Sequence, residues 1–284
     1  MADMLSYNGD IISRSSFGLS TENRAFRYGD GVFETIRVHS GHILWEDKHF
    51  DRLNRACETL QLKPPQPWTR KQFRQAVQQL FDANHKAGEA ARIRFSLFRN
   101  EGGLYTPSTN QASFLIESQK LYHATFELNK KGLFIDCFDG LPKPVNMLSP
   151  LKSINAQLYV LAGLYKQQHD LDDCLILNEH GNIAEAISSN VFIVSRDRLY
   201  TPSLMEGCVQ GIMRAVIMDV ARDSQISVTE TQITSTALDK ADEIFLTNAI
   251  HGIRHVLGYR DKRYYNRMAV KLTRELNSLA SAGK

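Results

Sequence analysis

The run Gly31-Val32-Phe33-Glu34-Thr35-Ile36-Arg37-Val38 constrains the fold more than any other segment. It is rich in β-branched residues and alternates with a period of two, the signature of a strand whose side chains point to opposite faces in turn. Ser40-Gly41 turns the chain, and His42-Ile43-Leu44-Trp45 returns it as the second arm of a hairpin. The period then changes: Phe50, Leu53, Cys57 and Leu60 recur at steps of three and four, which predicts an amphipathic helix with Asp47 as its N-cap. A second helix is predicted from Thr69 to about His85, with Phe73, Val77 and Leu80 facing inward. Two further strands follow, Ala91–Phe98 and Ser113–Glu117, joined by the turn-rich stretch 100–107, and Asn8-Gly9 marks an earlier hairpin. Strands and helices are grouped, not alternating, so the predicted class is α+β.

From about residue 119 the pattern is less regular. The segment Asp139-Gly140-Leu141-Pro142-Lys143-Pro144 predicts a loop, followed by a helix over Asn155–Gln168. Three short strands are predicted next, Cys174–Asn178, Ile183–Ala186 and Val191–Ser195, the first two separated by a turn at residues 179–182. A helix carrying Val209, Ile212, Val216, Ile217 and Val220 is predicted to begin just after Gly207, and Glu243–Thr247 reads as a late strand. A chain of 284 residues accommodates two domains, which we place at 1–118 and 127–284 with a linker at 119–126.

Composition removes several function classes. With 43% hydrophobic and 23% charged residues the chain is globular, and 34 basic against 31 acidic side chains supply no general attraction to nucleic acid or to a membrane surface. The longest apolar run, Leu158–Tyr165, is far short of the ~18–20 residues that cross a bilayer. The first residues, Met1-Ala2-Asp3-Met4, do not read as a secretory signal, so a cytoplasmic location is expected. Cys57, Cys137, Cys174 and Cys208 stand singly and read as buried free thiols. His251 and His255 share a helical spacing but lack an intervening Glu and a third ligand, so no metal site is expected. No G-x-S-x-G, G-x-x-x-x-G-K-[ST] or G-x-G-x-x-G occurs.

The chemistry therefore rests on less common constellations. Lys152 lies between the proline-bearing loop and a helix, flanked by Leu151 and Ile154. Partial desolvation there favours the neutral amine, a nucleophile toward aldehydes, although a solvated loop lysine fits the same local sequence. Glu185 sits in the apolar strand Ile183-Ala184-Glu185-Ala186-Ile187. A carboxylate buried there needs a positive partner, and a pyridinium N–H is one; the solvent side of an edge strand is the other reading. Between Thr201 and Arg214 the chain passes from a strand end through Gly207 and Gly211 to a helix start, where backbone N–H groups and the helix dipole bind phosphate. Arg52, on the first helix, adds a bidentate donor of the kind phosphates take.

In order along the chain, these segments resemble the class IV, or fold type IV, pyridoxal-phosphate enzymes: branched-chain aminotransferases, D-amino-acid aminotransferases and aminodeoxychorismate lyases. The resemblance is carried by residues 23–34, by His49-Phe50-Asp51-Arg52-Leu53, by Leu151-Lys152-Ser153-Ile154-Asn155, by 185–192, by Thr201-Pro202 with 210–214, and by 242–249. It implies a two-domain fold like that of D-amino-acid aminotransferase, with pyridoxal 5'-phosphate in the cleft between the domains, and a homodimer. It makes Lys152 the Schiff-base lysine, which carries the proton between substrate Cα and cofactor C4′. Glu185 becomes the partner of the pyridine nitrogen. Arg52 and the amides of Ile212 and Met213 become the phosphate holders, with Gly211, Asn190, Asn248 and Ala249 also at the cofactor. Glu34, Arg94 and Tyr28 become the substrate-binding residues.

The reaction implied is transfer of an amino group between a small α-amino acid, branched-chain ones included, and an α-keto acid. Phe33-Glu34 and Arg94 match the aminotransferase branches, Arg94 as a carboxylate-binding residue. The alternative is aminodeoxychorismate lyase, making 4-aminobenzoate and pyruvate, with support from Arg99, Gly102-Gly103, 209–214 and Asn248-Ala249-Ile250. Asn155 and Gln157 replace the Gly-Asn-Tyr pattern of the branched-chain enzymes, so no tyrosine is expected near cofactor O3′.

Overall fold

A computed structural model describes residues 3–282, which divide into two compact units. The first holds residues 3–124 and Leu151–Asn155. Its strands are β1 (Met4–Tyr7), β2 (Asp10–Ser13), β3 (Gly31–His39), β4 (His42–Ile43), β5 (Ala90–Arg99) and β6 (Ala112–Leu121), and its helices α1 (Arg24–Tyr28), α2 (Glu46–Leu60) and α3 (Arg70–Asn84). The strands pair antiparallel in the order β2-β1-β6-β5-β3-β4. Asn8 (φ 52°) and Gly9 (φ 101°) make the β1–β2 turn, and positive φ at both positions is what a two-residue hairpin demands. Thr69 caps α3, its side chain accepting from Gln72 N.

One face of this sheet carries Val32, Ile36, Val38, Ile93, Phe95, Leu97, Phe114 and Ile116, which pack against Phe50, Leu53, Phe73, Val77 and Leu80 of α2 and α3. Each such side chain contributes roughly 1.5–3 kcal/mol by leaving water. The second arm of the predicted hairpin is shorter than expected. The strand β4 stops at Ile43, and Trp45, at φ 53°, turns the chain directly into α2, so Asp47 lies in the first helical turn and caps nothing.

The second unit holds Thr125–Pro150 and Ala156–Ala282. Its elements are β7 (Leu133–Lys143), α4 (Gln157–Gln168), β8 (Asp173–Asn178), β9 (Ile183–Ala186), β10 (Asn190–Ser195), β11 (Arg198–Pro202), α5 (Ile212–Asp223), β12 (Val228–Thr231), α6 (Ser235–Lys240), β13 (Glu243–Asn248), β14 (Gly252–Tyr259), β15 (Lys262–Arg263) and α7 (Arg267–Ser281). The mixed sheet runs β12-β11-β10-β13-β14-β7-β8-β9, with β15 attached to β14. Two expectations change here. The predicted loop at 139–144 is largely strand: β7 continues to Lys143, and Pro142 is tolerated because the β7–β8 register breaks between Phe138 and Lys143. The helix expected after Gly207 begins at Ile212, since Gly207 (φ 79°) ends a short 3₁₀ turn, residues 208–210 take no regular structure and Gly211 is extended. The strands β7 and β14 and the helix α7 are not among the elements expected from sequence, although Met268, Leu272 and Leu276 recur at helical spacing in α7.

All four cysteines are buried and free. No described helix is long and apolar enough to cross a membrane. The segment Leu151–Asn155, expected in the C-terminal domain, returns to the first unit because its backbone completes the edge of β3. Phe33 N donates to Lys152 O (2.9 Å) and Ile154 N to Gly31 O (3.0 Å). Gly31 permits this approach: a Cβ there would fall 2.6 Å from Leu97 O and 2.8 Å from Ile154 Cδ1.

Candidate active site

In the first unit the alternation of β3 sends neighbouring residues to different environments. Glu34 shares the helix-facing side with Val32 and Ile36 and is 1% exposed. His49 and Arg52, one turn apart on α2, meet it there. Arg52 donates from Nε to Glu34 Oε1 (2.7 Å) and from Nη2 to Oε2 (2.5 Å), and His49 Nδ1 lies 2.7 Å from Oε2. Burial alone would push the Glu34 carboxyl up, but the Arg52 charge and the hydrogen bonds from His49 and Arg52 outweigh it and hold the group at about 2. Burial likewise pushes His49 down, so the imidazole is neutral and its Nδ1–H donates to the carboxylate. Its Nε2 is buried with no hydrogen-bond partner. Glu34, expected at the substrate, is thus turned away from the other sheet face and spent on Arg52 and His49. Two donors of Arg52, expected on a phosphate, are committed to Glu34.

The opposite face carries Phe33. The Arg94 guanidinium, diagonal to it on β5, stacks with Cζ 3.8 Å from the ring centroid, and Lys152 Nζ lies 4.5 Å from the same centroid. Both cations are half-buried, and burial pushes the Arg94 guanidinium below its ordinary value. Lys152 and Arg94 therefore meet on one aromatic ring. Tyr28, the third substrate candidate, lies under the Arg24 guanidinium (4.8 Å) and beside Tyr105, which is 90% exposed. Arg99 proves structural: it donates to Asp30 Oδ2 (2.9 Å), Leu60 O (2.7 Å) and Asn110 Oδ1 (2.6 Å). Arg24 holds the loop after β5 through the carbonyls of Gly102 and Leu104.

In the second unit Glu185 is buried and accepts three hydrogen bonds. Its Oε1 accepts from Lys143 Nζ (2.5 Å) and from the Tyr159 hydroxyl (2.6 Å), and its Oε2 from Val209 N (3.0 Å). Sequence reasoning missed both Lys143 and Tyr159. Lys143 was hidden in a proline-bearing stretch read as a loop; the signal for Tyr159 was its place in the first turn of α4, seven residues after Lys152. The helix α5 starts at Ile212 with no side-chain cap, so no side chain takes its first N–H groups, the donors that an anion at a helix start receives. A Cβ on the preceding Gly211 would fall 1.9 Å from Asn190 Oδ1, and Asn190 is fixed by donating to Thr247 O (2.8 Å) and Oγ1 (3.0 Å). Gly211, Ile212, Met213 and Asn190 therefore form one group. The Asn248 side chain instead builds its own turn, accepting from Ile250 N and His251 N and donating to Ser189 Oγ, and half-buried Ala249 lies in that turn.

Residues 31–259 match the family model for amino-transferase class IV. The chain belongs to the class IV aminotransferases. Among curated relatives of the family, it is 26% identical over 253 residues to an aminodeoxychorismate lyase of Bacillus subtilis, covering 87% of this chain and 83% of that one. It is 23% identical over 247 residues to a D-alanine aminotransferase of Bacillus licheniformis, covering 85% and 83%. The branched-chain amino acid aminotransferase of Thermobaculum terrenum, solved in its pyridoxal-phosphate form, superposes with a TM-score of 0.87 at 20% identity, covering 100% of this chain and 95% of that one. Class IV aminotransferases use pyridoxal 5'-phosphate, and their fold is the two-domain α+β fold type IV. The residues present fit the cofactor. Within the second unit, an uncapped helix start with a glycine before it suits a phosphate, and a buried carboxylate with an acceptor site to spare suits a ring N–H.

Proposed function

We propose that the protein is a pyridoxal-phosphate aminotransferase that moves an amino group between a small α-amino acid, branched-chain ones included, and an α-keto acid, with Lys152 as the lysine that bonds the cofactor. The observation that carries this reading is the pair of cations on Phe33, Lys152 at 4.5 Å and Arg94 at 3.8 Å. A lysine that moves a proton to and from an α-carbon needs the substrate carboxylate fixed beside it. A partly desolvated guanidinium does this with two parallel hydrogen bonds, and stays charged at neutral pH even when burial lowers it.

When bound, the cofactor supplies an electrophilic carbon and an electron-accepting ring. The chain supplies everything else. Lys152, pinned through its own carbonyl to Phe33 N, presents its amine at a set height over the sheet and carries the proton. Arg94 orients the carboxylate. The amides of Ile212 and Met213 hold the phosphate, and Glu185 accepts from the ring nitrogen. The exposed apolar residues Val160, Leu161 and Leu164 of α4 support a homodimer in which a second copy covers them; sedimentation at the 32.2 kDa of a single chain would contradict that part.

A second reading is aminodeoxychorismate lyase, which employs the same lysine. It is favoured by the Bacillus subtilis relative and by the absence of the branched-chain Gly-Asn-Tyr pattern at 155–157. One panel separates the readings: holoprotein with L-leucine and 2-oxoglutarate, with D-alanine and 2-oxoglutarate, and with aminodeoxychorismate. Glutamate in either of the first two tubes is expected. Formation of 4-aminobenzoate and pyruvate in the third alone overturns the transaminase reading.

A further inference from the structure

Lys143 is a buried cation that the proposed reaction leaves without a role. It lies at the end of β7, where the broken β7–β8 register brings it level with Asn178, and its Nζ contacts Glu185 Oε1 (2.5 Å) and Ser149 O (3.3 Å). A buried ion pair of this kind adds little net stability. What it fixes is geometry: the ammonium holds one oxygen of the carboxylate and leaves the other free to turn elsewhere.

We propose that Lys143 is a positioning residue for cofactor chemistry: paired with Oε1, it keeps Glu185 an anion and leaves Oε2 turned to accept from the protonated ring nitrogen of pyridoxal phosphate. The inference rests on the reading above, in which Glu185 is the partner of that nitrogen. A carboxylate has about four lone-pair sites. Lys143 and Tyr159 take those of Oε1, Val209 N takes one on Oε2, and one on Oε2 remains. A protonated Glu185 has to give up one of these contacts in order to donate.

No other group in contact with Glu185 can do this. Burial first, and the Glu185 charge second, push the Tyr159 phenol up, so it stays a neutral donor. Burial pushes the nearby Cys208 thiol up to about 11, so it carries no charge. Arg214 spends Nη2 on Pro202 O and Glu230. Lys143 is the one cation hydrogen-bonded to Glu185 among the described residues. Coulomb energy falls with distance, and Nζ is closer to Oε1 than to an atom seated on Oε2. Lys143 therefore favours the carboxylate anion more than it opposes a positive ring nitrogen, and the shared proton rests on the ring.

The test is the ¹⁵N signal of the ring nitrogen in protein reconstituted with ¹⁵N-labelled pyridoxal phosphate at neutral pH. Wild type and Lys143→Arg are expected at the protonated position. Lys143→Met, and Lys143→Gln, which keeps a donor but loses the charge, are expected to move at least half-way to the unprotonated position, and Glu185→Gln the whole way. A wild-type signal in either neutral Lys143 variant, with Glu185→Gln shifted, overturns the role of Lys143 and leaves that of Glu185 standing. An unshifted Glu185→Gln overturns the underlying reading instead. An unprotonated nitrogen in the wild type overturns the inference whether or not any variant folds.

Discussion

Replacing Glu34 by Gln keeps the shape of the side chain and removes the charge that Arg52 faces in the first unit. The carboxylate side chain is 2% exposed and that of Arg52 6%, with contacts of 2.5 and 2.7 Å, so the guanidinium is left buried beside a neutral amide. Breaking one side of such a pair costs about 3–5 kcal/mol. A second route gives a similar figure: a carboxyl held at about 2 against its ordinary 4.5, at ~1.4 kcal/mol per tenfold change in proton affinity, contributes about 3 kcal/mol. Because the folded value is depressed, this stability is fully present above pH 4.5 and is lost as the pH falls toward 2. Trp45 and Trp68, the two tryptophans of the chain, both lie in the first unit, so urea unfolding followed by tryptophan fluorescence reads that unit. Glu34→Gln should lose about 3 kcal/mol at neutral pH and show a shallower acid dependence between pH 4.5 and 2. A loss below ~1 kcal/mol, or an acid dependence equal to wild type, refutes the ion-pair argument.

Two further substitutions probe the face that carries Lys152. Gly31→Ala drives a methyl into the Leu97 carbonyl and Ile154, which should cost ~1–3 kcal/mol and lift the 151–155 segment from β3, weakening the yellow absorbance of bound cofactor; wild-type stability and spectrum in this variant would contradict the steric account. Arg94→Leu should raise KM for the amino acid by roughly 10- to 100-fold, the scale of a hydrogen bond to a charged group, with a smaller effect on kcat, and an unchanged KM in steady-state kinetics counts against its carboxylate role.

Local signals survived wherever a residue's own chemistry decides the backbone. Asn8-Gly9 and Thr69 are such cases, since a positive-φ turn and a hydroxyl cap need only their immediate neighbours. The alternation through Gly31–Val38 was equally plain, and its parity already put Glu34 with Val32 and Ile36 on the core side, a consequence that the resemblance to substrate-binding residues obscured. What escaped the sequence were pairings that form at long range. Lys143 and Glu185 are 42 residues apart, and nothing local to Lys143 announces a buried partner. The last part of β7, residues 139–143 with Gly140 and Pro142, has the composition of a loop and is held in the strand by the pairing of Lys143 with Asn178 of β8. The chain neighbours of Lys152 fit a solvated loop lysine equally well, so only the family resemblance singles it out, and the ring beneath its amine belongs to Phe33, which no local pattern connects to it.

The most direct test is to reduce the holoprotein with sodium borohydride, digest it and locate the phosphopyridoxyl group by peptide mass spectrometry. The account predicts the group on Lys152. Finding it on Lys143 or on any other lysine, or on none, would contradict it.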